Sequence, residues 1–229
     1  MTTYLAIGAH IGDMDLTAGP LLATATLAGH RAVLLALTPG ERGHPTMPPA
    51  EYKKQKIDEG WAFAEKIGAE FRVLDHSDGF LRASEEVFLE VAEIIREVRP
   101  DVILAHWRHS IHRDHENASE IAEQARFYAG LPRDDGGPRH GVSRFVYPEN
   151  WEDEEGFDPY LYVPIPQEAY ELWAEAIRGE AFARGETYGF RYIDYYTALM
   201  DLRGCRAGVR RACAFATLPA QERQVVDLL

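Results

Sequence analysis

The sequence predicts an α/β protein, a mainly parallel sheet covered by helices on both faces in three layers, α/β/α. Short, near-continuous apolar runs alternate with helical patterns in the order βαβαβαβα over residues 1–130. Such alternation builds parallel sheets whose strands are buried on both faces. The runs end in loops rich in Gly, Asp and His, and parallel sheets place their sites at the carboxyl ends of strands. With 229 residues, 46% of them hydrophobic, the chain is long enough for a sizeable core. No repeat, low-complexity tract or clear linker divides it, so one domain over residues 1–229 is expected.

Tyr4 to Ala9 is the first strand, and it runs straight into His10-Ile11-Gly12-Asp13-Met14-Asp15. A helix over Thr17 to Ala28 follows, with Leu21, Leu22 and Leu27 as core positions. Pro20 fits only in its first turn, and Gly29 stops it. Ala32 to Leu37 is the second strand, ending in the polar loop Thr38-Pro39-Gly40-Glu41-Arg42-Gly43. Pro49 to Ile67 is a helix closed by Gly68, and Phe71 to Leu74 is a third strand. Ser84 is the expected N-cap of a helix to Val98, with Glu85 and Glu86 in its first turn. Val87, Val91, Ile94, Ile95 and Val98 give that helix an apolar stripe. Arg99-Pro100-Asp101 breaks the chain, Val102 to Ala105 is the fourth strand, and His106 to His115 is its exit loop. Glu116 to Tyr128 is helical. Beyond Gly130 the pattern weakens. Pro132 to Gly141 is a loop, Arg144 to Tyr147 and Leu161 to Ile165 are short strands, and Gln167 to Ala183 and Tyr192 to Leu202 are helices.

Lys plus Arg is 24 and Asp plus Glu is 37, a formal charge of −13, which argues against nucleic acid as a partner. The two cysteines, Cys205 and Cys213, are read as free thiols in a reducing cytosol. The first residues carry no basic stretch followed by a long apolar one, so no signal peptide is expected. No run approaches the roughly 20 apolar residues of a membrane span. A cytoplasmic protein without membrane association is therefore expected.

His10 and Asp13, three apart after one strand, and His115 after another form a candidate metal site. Two imidazoles and one carboxylate leave a position open for water, the composition of a catalytic zinc site. The same set suits ferrous iron, so the ligands alone do not name the metal. His106 and His109 share the loop with His115. The Gly-rich loop lacks the Gly-Lys-Ser/Thr ending of a phosphate-binding loop. Glu41 in that loop is a candidate for binding substrate hydroxyls or for capping a backbone turn, Trp107 for stacking on a sugar ring or for partly buried core, and Tyr147 and Trp151 for the edge of the pocket. Cys213 has no visible base partner and is not read as a nucleophile.

These segments resemble those of the LmbE-like, or PIG-L, zinc-dependent N-deacetylases. His10 to Asp15 resembles the family's His-Pro-Asp-Asp-x-Glu, and His112-Arg113-Asp114-His115 its His-Pro-Asp-His. Thr38 to Gly43 resembles Thr-x-Gly-Glu-x-Gly, and Lys56 and Glu59 stand where an Arg-x-x-Glu pair is common. Asp78-Gly79 and Arg99-Pro100-Asp101-Val102 also fit, and Arg203 to Phe215 resembles the family's ending loosely. The resemblance implies a Rossmann-like fold and removal of acetyl groups from N-acetylglucosamine-type small molecules. It implies zinc on His10, Asp13 and His115, and a catalytic pair at His112 and Asp114. It also makes Lys56 a candidate substrate contact and implies homo-oligomers.

The departure is at Gly12, where the family carries the Asp that acts as general base, and losing such a base costs about 10²–10⁴ in rate. His112 is the leading substitute, with Asp15 and Glu41 behind it. The readings left open are an N-deacetylase with a substitute base, a different metal chemistry on an amide or related bond, and a catalytically silent metal-binding relative acting as a binding or regulatory protein.

Overall fold

A computed structural model describes residues 1–133 and 135–217. Seven strands form one sheet: β1 (Thr3–His10), β2 (Arg31–Thr38), β3 (Glu70–Val73), β4 (Val102–Ala105), β5 (Arg144–Pro148), β6 (Leu161–Pro164) and β7 (Ala212–Thr217). The helices are α1 (Asp13–Thr17), α2 (Gly19–Leu27), α3 (Pro49–Ile67), α4 (Glu85–Val98), α5 (Arg113–Gly130), α6 (Gln167–Ile177) and α7 (Tyr192–Ala207). The strand order is β3-β2-β1-β4-β5-β7-β6. β3 to β5 pair in parallel, and β7 is antiparallel to both of its neighbours.

The period-two alternation of the strands sorts their side chains onto two cores. Ala6, Leu34, Leu104 and Val146 face one side, against α2, α3, α6 and α7. Leu5, Ile7, Val33, Leu35, Ile103 and Phe145 face the other, against α4 and α5. The three layers and the mainly parallel sheet agree with the expectation.

Several expected bounds shift for local reasons. The helix expected over Thr17 to Ala28 is two helices, because the chain turns at Ala18 and Pro20 then starts α2. Ser84 does cap α4 by position, but its hydroxyl makes no capping bond. The helix after β4 begins at Arg113, three residues early, because His112 serves as its N-cap. The helix from Gln167 ends at Ile177 rather than Ala183, and the helix from Tyr192 continues to Ala207. β7 was not expected as a strand. It is buried along its whole length between β5 and β6.

The topology fixes where a site can form. β1 has β2 on one side and β4 on the other, so the chain order reverses about β1. In a doubly wound sheet the loops diverge at that point and leave a crevice at the carboxyl ends of the strands. The segments after β1 and β4 meet there.

Candidate metal centre and substrate cavity

β1 delivers His10 at its last position, and the chain turns at once into α1. Gly12 makes the turn with φ 103°, in the left-handed region that only glycine enters without strain. A Cβ at this position would lie 2.4 Å from Phe182 Cζ and 3.1 Å from Glu180 Oε2. The turn folds Asp13 back, so its Oδ2 accepts the His10 backbone N–H at 2.7 Å.

Across the crevice, β4 leads into His106, whose Nε2 meets the Ala9 N–H at 3.2 Å and Asp13 Oδ2 at 3.0 Å. His112 caps α5: its Nδ1 accepts the Asp114 N–H at 3.2 Å. A neutral imidazole accepting at Nδ1 carries its proton on Nε2. Burial and the charge of His10 lower the pKa of His112, which favours that neutral form.

His10, Asp13 and His115 come together at this edge. His10 Nδ1 lies 3.2 Å and His115 Nε2 3.5 Å from Asp13 Oδ2. Ligand atoms of the three residues lie within 4.8 Å of one another. Tetrahedral ligands at 2.0–2.1 Å from a zinc ion are separated by about 3.3–3.4 Å, so this spacing fits one cation. The charge fits as well. Asp13, Asp78, Asp114, Glu152 and Asp153 surround the imidazoles, and among the described residues no Lys or Arg forms an ion pair with any of them. A buried surplus of carboxylates is stabilised by a bound cation. The nitrogen and oxygen donors suit zinc or ferrous iron.

The electrostatics follow from the same crowding. Burial opposes ionisation of Asp13, but the imidazoles of His115, His10 and His106 hold it well below the usual carboxylate range. Burial and the charge of His106 push His115 down to about 4, which leaves it neutral. Burial opposes charge on His106, yet Asp13 and Asp153 push its pKa up to about 9. His10 is raised in spite of its burial by Asp13, Asp114 and Asp78. Its Nε2 lies 3.1 Å from Asp78 Oδ1 and 3.4 Å from Asp114 Oδ2, without an aligned hydrogen bond to either. Burial, Asp13 and Asp153 push Glu152 up to about 7.

The centre borders a cavity of about 510 Å³, lined by His10, Asp13, His112 and His115 together with Trp151, Phe182, Tyr188, Phe190 and Tyr192. Of the other residues singled out from the sequence, Lys56 lines the cavity. It is buried, with Nζ 3.9 Å from Glu180 Oε2 and 3.8 Å from the centre of the Phe182 ring. Asp114 lies behind His10, and its Oδ2 accepts the Gly79 N–H at 2.7 Å. Glu41 and Trp107 are not among the cavity-lining residues. Glu41 accepts from the Asp78 N–H and the Ser77 hydroxyl and so pins the loop after β3. The Trp107 indole donates to the Glu155 carbonyl at 2.8 Å, with its ring against Tyr147 and Phe157.

The residues that sequence reasoning missed come from the second half. They are Asn150, Glu152 and Asp153, in the segment after β5; Glu152 lines the cavity beside Trp151, which the sequence had offered as a pocket-edge residue. The signal was available, because β5 is another parallel strand and its carboxyl end points to the same edge.

A family model described as PIG-L, GlcNAc-PI de-N-acetylase, matches residues 5–126. Diacetylchitobiose deacetylase of Thermococcus kodakarensis is 27% identical over 214 residues, which cover 83% of this chain and 80% of that protein. The 4-oxalmesaconate hydratase of Pseudomonas putida is 29% identical over 133 residues, 55% of this chain, and the match spans about half (52%) of that relative. Among solved structures, GalB, the 4-carboxy-2-hydroxymuconate hydratase of Pseudomonas putida KT2440, superposes with a TM-score of 0.88 at 23% identity, covering 100% of both chains. The N,N'-diacetylchitobiose deacetylase of Pyrococcus horikoshii has a TM-score of 0.81 at 20% identity, covering 99% of this chain and 87% of that one. At these identities the superpositions establish the α/β fold, while the relatives establish that one family holds both deacetylases and a hydratase. With a family model matched over more than half its length, the chain belongs to the PIG-L family.

Proposed function

We propose that this protein is a metal-dependent hydrolase that removes an N-acyl group from a neutral, sugar-derived small molecule. The observation that supports this most is the convergence of His10, Asp13 and His115, at the spacing of one cation, on the lining of a cavity. In this reading those three residues hold zinc. A bound divalent ion supplies Lewis acidity, acidifying water to a pKa of about 7 and polarising an acyl oxygen.

The protein's residues handle the protons. Water adds to the acyl carbon, the carbon–nitrogen bond breaks, and the proton removed from water is delivered to the departing nitrogen. Glu152 is the assigned base, since its carboxylate lines the cavity beside His115, with Oε2 3.8 Å from Nδ1, and burial with Asp13 and Asp153 raises its pKa. His112 has its Nδ1 engaged with the Asp114 N–H. It therefore presents Nε2–H to the acyl oxygen as negative charge builds there, a donor rather than the substitute base. Asp114 and Asp78 orient His10.

The charge of the cavity favours a neutral substrate. Among the described residues Lys56 is the only Lys or Arg that lines it, and Glu180 already faces it. Asp13, Asp78 and Glu152 line the same space. A substrate carrying several carboxylates would be repelled. The second reading, addition of water to an unsaturated oxo-acid, is favoured by the alignment to the hydratase relative.

The test is a zinc-loaded preparation assayed in parallel for acetate release from a panel of N-acetylglucosamine compounds and for loss of absorbance of conjugated oxo-acids. Acetate release that disappears in His115→Ala and falls at least 100-fold in Glu152→Gln supports the deacetylase. Hydration without acetate release supports the second reading, and zinc binding with neither activity makes the protein a silent relative.

A further inference from the structure

We propose that Asp153 is the positioning carboxylate of the metal centre, accepting Nδ1–H from both His106 and His115 and so fixing His115 in the tautomer whose Nε2 lone pair faces Asp13. Asp153 comes from the loop after β5, outside every motif read from the sequence, and is fully buried. Its Oδ1 lies 3.2 Å from His115 Nδ1 and its Oδ2 3.0 Å from His106 Nδ1. The two imidazoles stack with their centres 3.9 Å apart at 23°, so one carboxylate spans both rings along the same edge. The other groups near His115 Nδ1 are Ser110 Oγ at 3.5 Å and Glu152 Oε2 at 3.8 Å, and both can accept a proton. The proton of a neutral His115 therefore sits on Nδ1, which leaves Nε2 as the ligand atom.

Asp153 is itself held. Its N–H donates to the Asn150 carbonyl at 3.1 Å, and Asn150 Nδ2 donates to its Oδ2 at 3.2 Å. Asn150 Oδ1 accepts the Tyr196 hydroxyl at 2.8 Å, which ties the arrangement to α7. His106, His115 and Asp153 could be read as a second cation site. Against that, neither His106 nor Asp153 lines the cavity, and both Asp153 oxygens are already engaged at hydrogen-bond distance.

The inference rests on the reading of His115 as a ligand. An asparagine at 153 keeps an oxygen at one of the two carboxylate positions and puts an NH₂ at the other, so the imidazole facing the NH₂ must lose its partner or change tautomer. The experiment measures Zn²⁺ affinity by competition with a chromophoric chelator in the wild type, Asp153→Asn, Asp153→Glu and His115→Ala, together with ¹⁵N NMR of the histidine rings. The expected results are Nδ1–H on His115 in the wild type, and zinc binding weaker by about 10–100-fold in Asp153→Asn with an unchanged circular dichroism spectrum. Asp153→Glu, which keeps two acceptors, should lose less. Nε2–H on wild-type His115, or an affinity of Asp153→Asn within threefold of wild type, overturns the inference. If the amide variant does not fold, the wild-type tautomer and the Glu variant decide. Undiminished zinc affinity in His115→Ala would instead remove the ligand reading on which it stands.

Discussion

At position 12 the backbone turns with φ 103° and Phe182 packs where a side chain would begin. Restoring the family carboxylate by Gly12→Asp therefore strains the turn and displaces the Phe182 ring. The left-handed backbone alone costs roughly 1–3 kcal/mol for a non-glycine residue. The variant is expected to unfold at lower urea concentration and to show no gain in acetate release. With Glu152 as the proposed base, that carboxylate should set the pH response. Its proton is held to about 7, so the base form appears as pH rises, and a bound cation draws that transition lower. The acidic limb of the kcat profile should fall at or below pH 7 and flatten in Glu152→Gln.

Glu180 gives the opposite kind of test, on stability. Burial and Asp15 raise its pKa well above that of an exposed Glu, although Lys56 opposes the shift. A group raised on folding stabilises fully below its unfolded pKa, and that contribution is lost as pH rises through the folded value. Glu180→Gln should thus be near neutral at pH 4, where both side chains are uncharged, and increasingly stabilising towards pH 8. Chemical denaturation across that range checks the sign.

The helices separate roles that single residues combine. His112 both caps α5 and faces the cavity. His112→Ala loses the cap, at about 0.5–2 kcal/mol, together with the donor. His112→Asn keeps an N-cap acceptor, so it should recover most of the stability and little of the rate. α6 seats Trp173 between α2 and α3: its indole donates to the Asp15 carbonyl at 2.8 Å, and Gly19 leaves the space it fills. Trp173→Ala should cost about 3–5 kcal/mol in the urea transition.

The elements also explain what could be read in advance. The first four strands are near-continuous apolar runs and the segments between them read as helices, so the sheet and its rim were legible, with His10, Asp13 and His115 on it. Glu152 and Asp153 were not, because the segment after β5 is acidic and irregular, and no motif singles out two of its carboxylates from the rest. β7 escaped for a related reason. Ala212-Cys213-Ala214-Phe215-Ala216 is buried on both faces, and a short, Ala-rich run with few β-branched residues gives little strand signal. Glu41 looked like a substrate contact because a carboxylate in a Gly-rich loop suggests one. Its partners at residues 77 and 78 lie on a different loop, and only the fold brings them to it.

Across the whole molecule, five carboxylates meet at one edge of the sheet without a Lys or Arg ion pair among the described residues, in a chain whose formal charge is −13. A cation bound there should stabilise the native state by about 2.7 kcal/mol at 100 times its dissociation constant. Chelation should lower the thermal midpoint, zinc should restore it, and His115→Ala should abolish the zinc-dependent shift. No helix among the described residues is long and apolar enough to cross a membrane. Cys205 and Cys213 are both free, as expected.

β7 lies between β5 and β6, although it follows both in the chain. During synthesis the ribosome therefore releases β6, α6 and α7 before the strand that joins them to the rest of the sheet exists. Until residues 212–217 emerge, the wall that carries Phe182, Phe190, Tyr192 and Tyr196 lacks its pairing to the sheet and rests on the packing of α6 against α2 and α3. A nascent chain arrested before Ala212 should leave those aromatic rings open to protease, and one released past Thr217 should bury them.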